Sequence, residues 1–315
     1  MESAQKYFKT IRDIPTKDYF APGHRLCAGC GPSLAMKLAM KAVRMPTVVV
    51  NATGCVEVST SMFPYVSWRL PWVHVAFENT AAVASGITEA FRILEKKNRG
   101  KIHDVIAIGG DGGTFDIGLQ ALSGALERNH KMLYICYDNE AYMNTGIQRS
   151  GATPTGAATT TSPAGRVIPG KQERKKDLIG IVAAHRIPYA ATASISHPLD
   201  FINKVRKALE IDGPTFIHVL TPCTLGWRYP PSQTIKIARL AVETLYFPIF
   251  EVENGKVKIN VRVTKPRPLE EFLQPQGRFR HLFEPENKNI LENLKQQIQE
   301  NWNRLLKLEE IGVYA

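Results

Sequence analysis

The sequence predicts an α/β fold built on a doubly wound, mostly parallel sheet. Four short apolar runs are each followed by turn residues: TVVVNATG (47–54), DVIAIGGDG (104–112), MLYICYDN (132–139) and TFIHVLTP (215–222). Helical patterns lie between these runs, such as Leu119, Leu122 and Leu126. Strands that alternate with helices form βαβ units, and such units build parallel sheets covered on both faces.

The C-terminal part of the chain has a different pattern, and we place a boundary after residue 248. IFEVENGKVKINV (249–261) predicts a hairpin, because Asn254-Gly255 is a dipeptide that type I′ turns prefer. Apolar residues then recur three or four positions apart, which predicts an amphipathic helix. They are Leu291, Leu294, Ile298, Trp302 and Leu305. The helix covers either its own domain or a partner subunit, and the sequence leaves both open.

Composition argues against membrane and nucleic-acid partners. The N-terminal stretch MESAQKYFKTIRDIPTKDYF contains no apolar core of a signal peptide, and no apolar run is long enough to span a bilayer. We therefore expect a cytoplasmic protein. The net charge of +11 comes from basic residues spread along the 315-residue chain, the densest cluster being Lys171, Arg174, Lys175 and Lys176. No basic segment interleaved with aromatic residues is present, so we expect no nucleic-acid binding.

The glycine loop GGDGG (109–113) places one carboxylate, Asp111, directly after a predicted strand. The loop matches neither the dinucleotide fingerprint nor the P-loop. It fits either a tight strand-to-helix turn or a diphosphate site bridged by a divalent metal. Mg²⁺ needs about six oxygen ligands, so a second donor is required nearby. Asn139 ends the next predicted strand, and ligands gather beyond the carboxyl ends of parallel strands. This pairing favours the metal site.

The segment that follows Asn139 is a long loop. Residues 140–169 are rich in Gly, Thr, Ala and Pro and show weak periodicity. A loop of this length inside a compact domain is usually functional or disordered. Its place between two predicted core elements favours a functional loop.

The five cysteines are an odd number, which argues against a disulfide framework. Cys27 and Cys30 form a CxxC pair that opens a helix and fits zinc, a redox dithiol or an iron–sulfur cluster. No strand is predicted before Cys27, which disfavours a thioredoxin-like dithiol, and no second close pair supports zinc. Cys55 and Cys223 follow strands and would complete the four ligands of a [4Fe-4S] cluster; incidental structural thiols are the alternative. Cys136 lies inside LYICY and is expected to be a buried core thiol.

These motifs carry a resemblance to a known family. GDG followed by an Asn at the next strand end resembles the motif of thiamine diphosphate enzymes. The longer text resembles the β subunits of the 2-oxoacid:ferredoxin oxidoreductase family, particularly those acting on pyruvate. The resemblance runs from PGHRLCAGCGPSLAMKLAMKA at residue 22, through FENTAAVASG at 77, to PCTLGWRYPPSQTIKIARLAVETLYFP ending at 248. It implies a fold of the thiamine diphosphate-binding type for residues 1–248, with 249–315 as a C-terminal hairpin, Pro-rich segment and helical tail.

The resemblance also implies roles for individual residues. Asp111, Asn139 and the main-chain carbonyl of Ala141 would hold Mg²⁺, and Cys27, Cys30, Cys55 and Cys223 would hold the [4Fe-4S] cluster. Asn144 and His74 would lie beside the reacting part of the cofactor. The remaining cofactor-binding positions are Thr53, Gly54, Val56, Gly110, Gly112, Gly113, Met143 and Thr145. Asp138 departs from the usual Asn-Asn pair, and we expect the metal ligands to be unaffected.

The activity implied is CoA-dependent oxidative decarboxylation of pyruvate to acetyl-CoA and CO₂ with reduction of ferredoxin, and its reverse. A branched-chain or other 2-oxo acid substrate is the close alternative, and a non-redox thiamine-dependent decarboxylase is a more distant one. The acid that activates the cofactor's aminopyrimidine ring and the CxxCxxCxxxCP run of ferredoxins are both missing from the sequence. We therefore expect partner subunits to supply the pyrimidine-binding domain and the ferredoxin-type clusters.

Overall fold

The computed structural model describes residues 7–44, 46–101, 103–312 and residue 314. Within these residues, eight strands form one sheet. They are β1 (Thr47–Ala52), β2 (Trp72–Val75), β3 (Asp104–Gly110), β4 (Leu133–Asp138), β5 (Tyr189–Ser194), β6 (Thr215–Leu220), β7 (Phe250–Glu253) and β8 (Lys256–Ile259). Their order is β2-β1-β3-β4-β6-β5-β7-β8. The first six strands in this order are parallel to one another. β7 pairs with β5 in antiparallel orientation, and β8 pairs with β7 in the same way. The predicted α/β fold with a mostly parallel sheet is confirmed.

Helices connect and cover the strands. The described α-helices are α1 (Gly31–Lys41), α2 (Cys55–Thr60), α3 (Thr80–Lys96), α4 (Leu119–Glu127), α5 (Leu178–Ala183), α6 (Pro198–Glu210), α7 (Thr224–Trp227), α8 (Thr234–Glu243), α9 (Leu269–Leu273) and α10 (Lys288–Ile311). A π-helical segment, Gly112–Ile117, precedes α4. Short 3₁₀ segments lie at Ile11–Asp13, Pro231–Gln233, Gly277–Phe283 and Pro285–Asn287. None of the described helices has the length and apolar character that crossing a membrane requires.

The central strands are buried on both faces. Every residue of β1, β4 and β6 is buried. In β3, Ile106 and Ile108 pack into one hydrophobic cluster, while Val105 and Ala107 pack into another. Because side chains alternate between the two faces of a strand, each face of the sheet has its own core. This burial explains why these strands appear as continuous apolar runs in the sequence.

The four predicted strands are β1, β3, β4 and β6, and the sequence reasoning missed β2 and β5. β2 has four residues at the edge of the sheet, and two of its side chains are exposed. β5 has the sequence YAATAS, which lacks the large β-branched residues typical of strands. It is buried throughout because β6 and β7 flank it and helices cover it.

The predicted hairpin is confirmed as β7–β8, with Asn254 and Gly255 both at positive φ, 48° and 78°, as a type I′ turn requires. β7 pairs with β5, so the hairpin extends the main sheet. The division after residue 248 stays a prediction. The C-terminal helix α10 buries Leu291, Leu294, Trp302 and Leu305 against its own chain, which answers the question left open by the sequence. The N-terminal stretch behind the cytoplasmic prediction lies partly outside the described residues.

Candidate functional site

The unusual residues converge at the carboxyl ends of four neighbouring strands. Cys55 follows β1, Asp111 follows β3, Asn139 follows β4 and Cys223 follows β6. Two cavities open at this edge, a cleft around Asp111 and a second cavity around the cysteines. Cys55, Asn139, Met143 and Asn144 line both. The arrangement follows from sheet topology, because successive parallel strands deliver the residues that follow them to one edge.

Three oxygen donors meet beside the glycine loop. The Asn139 side-chain amide contacts the carbonyl oxygen of Ala141 and the carboxylate of Asp111, and with its nitrogen on that side it donates a hydrogen bond of 2.9 Å to each. Rotation of the amide group by half a turn would present its oxygen at the same point, beside the other two oxygens. Carboxylate, amide and main-chain oxygens are the ligands that Mg²⁺ takes in proteins. The three residues therefore fit a hard divalent cation.

Asp111 is held in place for this role. It is 1% exposed, and its second carboxylate oxygen accepts a hydrogen bond from the Ser150 hydroxyl at 2.5 Å. The Asn139 main-chain N–H donates to its first oxygen at 3.3 Å. Burial raises the pKa of Asp111 well above its ordinary value, and the neighbouring Asp138 raises it further. A bound cation acts in the opposite direction, because it stabilises the charged carboxylate.

The glycine loop is packed too closely to accept side chains. A Cβ on Gly112 would lie 2.4 Å from the Tyr142 ring, and one on Gly113 would lie 2.9 Å from the Phe77 carbonyl oxygen. Phe77 and Tyr142 stack with their ring centroids 5.5 Å apart. The bare backbone at the start of a helical segment suits a phosphate group, because main-chain N–H groups are free to donate there. The cleft holds about 20 Å³, enough for a cation, and the exposed Asn144 forms part of its rim.

Asp138 turns away from the cleft into a buried charge network. Its carboxylate lies 2.5 Å from the Lys175 ammonium and 2.7 Å from the His218 ring nitrogen. Burial by itself would raise the pKa of Asp138, but Lys175 and His218 outweigh it and lower that pKa to about 2. The Asp138 side chain thus has partners of its own. The expectation that the Asp-for-Asn departure leaves the metal donors unchanged stays a prediction.

Glu140, between two of the oxygen donors, anchors their loop. It is fully buried and has a positive φ of 67°, which is uncommon for a residue with a side chain. Its carboxylate accepts hydrogen bonds from Arg278 at 2.7 Å, from Lys175 at 2.8 Å and from the Tyr246 hydroxyl at 2.7 Å. These bonds hold the backbone turn that directs the Asn139 side chain and the Ala141 carbonyl to one point. Sequence reasoning missed this anchor.

The second cavity is surrounded by the four predicted cluster ligands. It measures about 290 Å³, and Cys27, Cys30, Cys55 and Cys223 all line it. Among the described residues, including these cysteines, no group of three or more His, Cys, Asp or Glu side chains could hold a single metal ion. Burial raises the pKa of Cys30 to about 12, and it also raises the pKa of Cys55 and Cys223. Neighbouring thiols raise these values further, so thiolates here need a cationic partner.

Glycines bring the CxxC pair against the Cys223 segment. The Gly31 N–H donates to the Pro222 carbonyl at 3.1 Å, and a Cβ on Gly31 would lie 2.5 Å from that same oxygen. Gly29 has a φ of 68° and is packed against Pro231. The backbone can approach this closely only where side chains are missing. Cys136, by contrast, is fully buried in the core, as predicted.

The predicted cofactor residues divide into two groups. Those that line the Asp111 cleft are Thr53, Gly54, Cys55, Gly110, Asp111, Gly112, Gly113, Asn139, Ala141, Met143, Asn144 and Thr145. The side chain of Val56 packs in the core instead. His74 is on the edge strand β2 and pairs with Glu57 at 2.9 Å; neither His74 nor Val56 lines the cleft. The roles of His74 and Val56 stay predictions. Phe77, Tyr137 and Tyr142 also line the cleft, and sequence reasoning did not single them out.

Comparison with known proteins agrees with this site. Residues 52–219 match the family described as thiamine pyrophosphate enzyme, C-terminal TPP binding domain. The chain is 58% identical over 284 residues to pyruvate synthase subunit PorB of Methanocaldococcus jannaschii, covering 89% of this chain and 95% of that protein. It is 50% identical over 302 residues to ketoisovalerate oxidoreductase subunit VorB of Pyrococcus furiosus, covering 95% and 96%.

A solved structure shares the fold at low sequence identity. The 2-oxoglutarate:ferredoxin oxidoreductase from Magnetococcus marinus superimposes with a TM-score of 0.54 at 20% identity, covering 76% of this chain and 81% of that one. The matched family model and the similarity to PorB, each over more than half of the chain, decide the assignment. The chain belongs to the thiamine pyrophosphate enzymes and, within them, to the pyruvate synthase PorB subunits, and is therefore a subunit of a thiamine-dependent oxidoreductase.

Proposed function

We propose that this chain is the thiamine diphosphate- and [4Fe-4S]-containing subunit of a pyruvate:ferredoxin oxidoreductase. The complex converts pyruvate, CoA and two oxidised ferredoxins to acetyl-CoA, CO₂, two reduced ferredoxins and a proton, and also catalyses the reverse. One observation carries the proposal: the oxygen-lined cleft and the four-thiol cavity are adjacent and share Cys55, Asn139, Met143 and Asn144.

The residues of the cleft have distinct tasks in this proposal. Asp111, Asn139 and the Ala141 carbonyl hold Mg²⁺, and the backbone at Gly112 and Gly113 accommodates the diphosphate. Thiamine diphosphate supplies, when bound, the carbon nucleophile that makes decarboxylation of a 2-oxo acid possible. Asn144 contacts the reacting part of the cofactor in this proposal, which its exposed position at the rim of the cleft supports.

The cysteines serve the redox half of the reaction. Oxidative decarboxylation releases two electrons, whereas a ferredoxin accepts one at a time, so a one-electron carrier is needed beside the cleft. Cys27, Cys30, Cys55 and Cys223 would hold that carrier as a [4Fe-4S] cluster. Cys55 supports the coupling of the two halves, because it lines both cavities.

Partner subunits complete the enzyme in our proposal. They supply the pyrimidine-binding domain, with the acid that activates the cofactor, and the ferredoxin-type clusters that carry electrons onward. A cytoplasmic location is part of the proposal. The names of the relatives support the partner subunits, since pyruvate synthase PorB is called a subunit.

Iron and sulfide analysis tests the cluster. In anaerobically purified wild-type complex, this chain should contribute about four iron and four sulfide, in addition to those of the partner subunits' ferredoxin-type clusters. Cys223→Ser should lower the iron and sulfide of the complex by about that amount, because one ligand of this chain's cluster is removed. Cys136→Ser is the matched control, since Cys136 is in the core and should retain full iron. Iron that survives Cys223→Ser unchanged would exclude Cys223 as a ligand, and a wild-type complex without iron would support a non-redox thiamine enzyme.

Cofactor titration tests the metal site. Asp111→Ala should abolish Mg²⁺-dependent binding of thiamine diphosphate while the iron content stays near that of the wild type. Asp212→Ala is the control, because the Asp212 side chain is 93% exposed and pairs only loosely with Lys131, at 3.6 Å. Normal thiamine diphosphate affinity in Asp111→Ala would contradict the proposed metal ligand.

The second candidate is an enzyme for branched-chain 2-oxo acids. The similarity to ketoisovalerate oxidoreductase subunit VorB favours it, because the 50% identity there overlaps the range seen for PorB relatives. Steady-state rates with pyruvate and with 2-oxoisovalerate, measured on the reconstituted complex, separate the two. A higher kcat/KM for 2-oxoisovalerate would replace pyruvate as the substrate.

A further inference from the structure

A short chain of hydrogen bonds links Cys223, in the wall of the cysteine cavity, to Asn139, in the wall of the Asp111 cleft. Cys223 caps helix α7, and its sulfur accepts a hydrogen bond from the Gly226 N–H at 3.3 Å. Trp227, the last residue of α7, donates its main-chain N–H to the Cys223 carbonyl at 2.9 Å. A sulfur held by a cluster would therefore also fix the position of the Trp227 backbone.

The other end of the path is a metal donor residue. The Trp227 indole N–H donates to the main-chain carbonyl of Asn139 at 2.8 Å. The Asn139 side-chain amide contacts the Asp111 carboxylate at 2.9 Å, and its oxygen is one of the proposed metal ligands. Trp227 is fully buried, so this hydrogen bond is shielded from water. The orientation of Asn139 thus depends on where α7 lies.

Arg278 stiffens the path. Its guanidinium lies 3.8 Å from the centre of the Trp227 ring and donates to Glu140 at 2.7 Å. One buried cation therefore contacts both the tryptophan and the residue after Asn139. On the other side of α7, a Cβ on Gly226 would lie 2.2 Å from the Met143 sulfur, so α7 has little room to shift.

We infer that Trp227 is a positioning residue that couples occupancy of the cysteine cavity to metal-dependent cofactor binding in the Asp111 cleft. The inference rests on the proposed function, because it needs both groups to bind. Coupling between two binding sites is reciprocal. Iron in the cysteine cavity should therefore tighten thiamine diphosphate binding by the same factor by which thiamine diphosphate tightens iron binding.

The experiment measures one ratio on the assembled complex. Dissociation constants for thiamine diphosphate, at saturating Mg²⁺, are determined by equilibrium dialysis on iron-loaded complex and on complex stripped of iron anaerobically. The ratio of the iron-free to the iron-loaded constant should be roughly fivefold or more in the wild type, about the effect of one hydrogen bond. Trp227→Phe, which keeps an aromatic ring and loses the donor, should bring the ratio close to one.

Two further variants keep the test decisive. Trp302→Phe is the matched control, because Trp302 is a buried tryptophan of α10 in a different core cluster and should leave the ratio unchanged. Arg278→Lys keeps the charge beside Glu140 but loses the planar group over the indole, so it should lower the ratio even if Trp227→Phe fails to fold.

The outcomes are separable. A wild-type ratio of one overturns the coupling. The coupling is also overturned if Arg278→Lys, and Trp227→Phe where it folds, give the same ratio as the wild type. Wild-type complex that binds neither iron nor thiamine diphosphate refutes the proposed function instead.

Discussion

Glu140→Gln tests whether the buried Glu140 side chain stabilises the loop that carries the proposed metal ligands Asn139 and Ala141. Glu140 is fully buried and bonded to Arg278, Lys175 and Tyr246. Glutamine has nearly the same shape, so the change removes the charge while packing is preserved. Within the described residues, Arg278 forms an ion pair with Glu140 only, and its side chain is 3% exposed. The variant therefore leaves a buried guanidinium without a carboxylate.

The expected cost follows from that loss. Removing one partner of a buried ion pair typically costs about 3–5 kcal/mol. Lys175 keeps Asp138 as a partner, and the glutamine oxygen can still accept one hydrogen bond. We therefore expect a loss of stability at the lower end of this range, about 3 kcal/mol. For a chain of this size each kcal/mol lowers Tm by about 2 °C, so a decrease of roughly 6 °C is expected.

Thermal unfolding of the full chain, followed by circular dichroism, measures this decrease. Glu292→Gln is the matched control, because Glu292 pairs with Lys295 on the surface and its side chain is 66% exposed. Exposed ion pairs contribute at most about 1 kcal/mol, so its Tm should move by less than roughly 2 °C. Equal decreases in the two variants would refute the anchoring role of Glu140.

Three further predictions concern other positions. Burial lowers the pKa of Lys171 from 10.5 to about 8, so between pH 8 and pH 10.5 the unfolded chain binds more protons than the folded chain. The free energy of unfolding should therefore rise with pH in this range. Urea midpoints should rise with pH in the wild type and lose this rise in Lys171→Met. Gly112→Ala should abolish thiamine diphosphate binding because its Cβ meets Tyr142, whereas Gly86→Ala, with open space around it, should not. At Gly255, where φ is 78°, valine should cost about 1–2 kcal/mol and asparagine much less, by the same urea midpoints.

The sequence predicted those parts of the fold that local patterns encode. The strands β1, β3, β4 and β6 are apolar because they are buried on both faces, and the Asn254-Gly255 turn has its own backbone preference. β5 was missed because YAATAS becomes a strand only through its neighbours β6 and β7. The π-helical segment Gly112–Ile117 was missed because its geometry depends on the packing of Phe77 and Tyr142 around the glycines.

The sequence predicted those residues of the candidate site that follow parallel strands, because the carboxyl ends of such strands meet at one edge of the sheet. That rule predicted that Asp111, Asn139, Cys55 and Cys223 lie close together. It did not place Phe77 and Tyr142 in the cleft wall, because Phe77 follows β2, a strand that the sequence did not indicate. The resemblance assigned His74 to the cofactor, and in the structure its ring pairs with Glu57 and does not line the cleft, so that role stays a prediction.

The buried charge network could not be predicted from local sequence patterns. Lys175 belongs to the densest basic cluster of the chain, which by itself suggests a solvated surface, yet its ammonium lies between Asp138 and Glu140. These partners are 37 and 35 positions away, and Arg278 is 138 positions from Glu140. No periodicity relates such distant residues. Each charge is tolerated only because the fold supplies its partner, so the network and the Asn139–Ala141 turn that it holds depend on the tertiary structure.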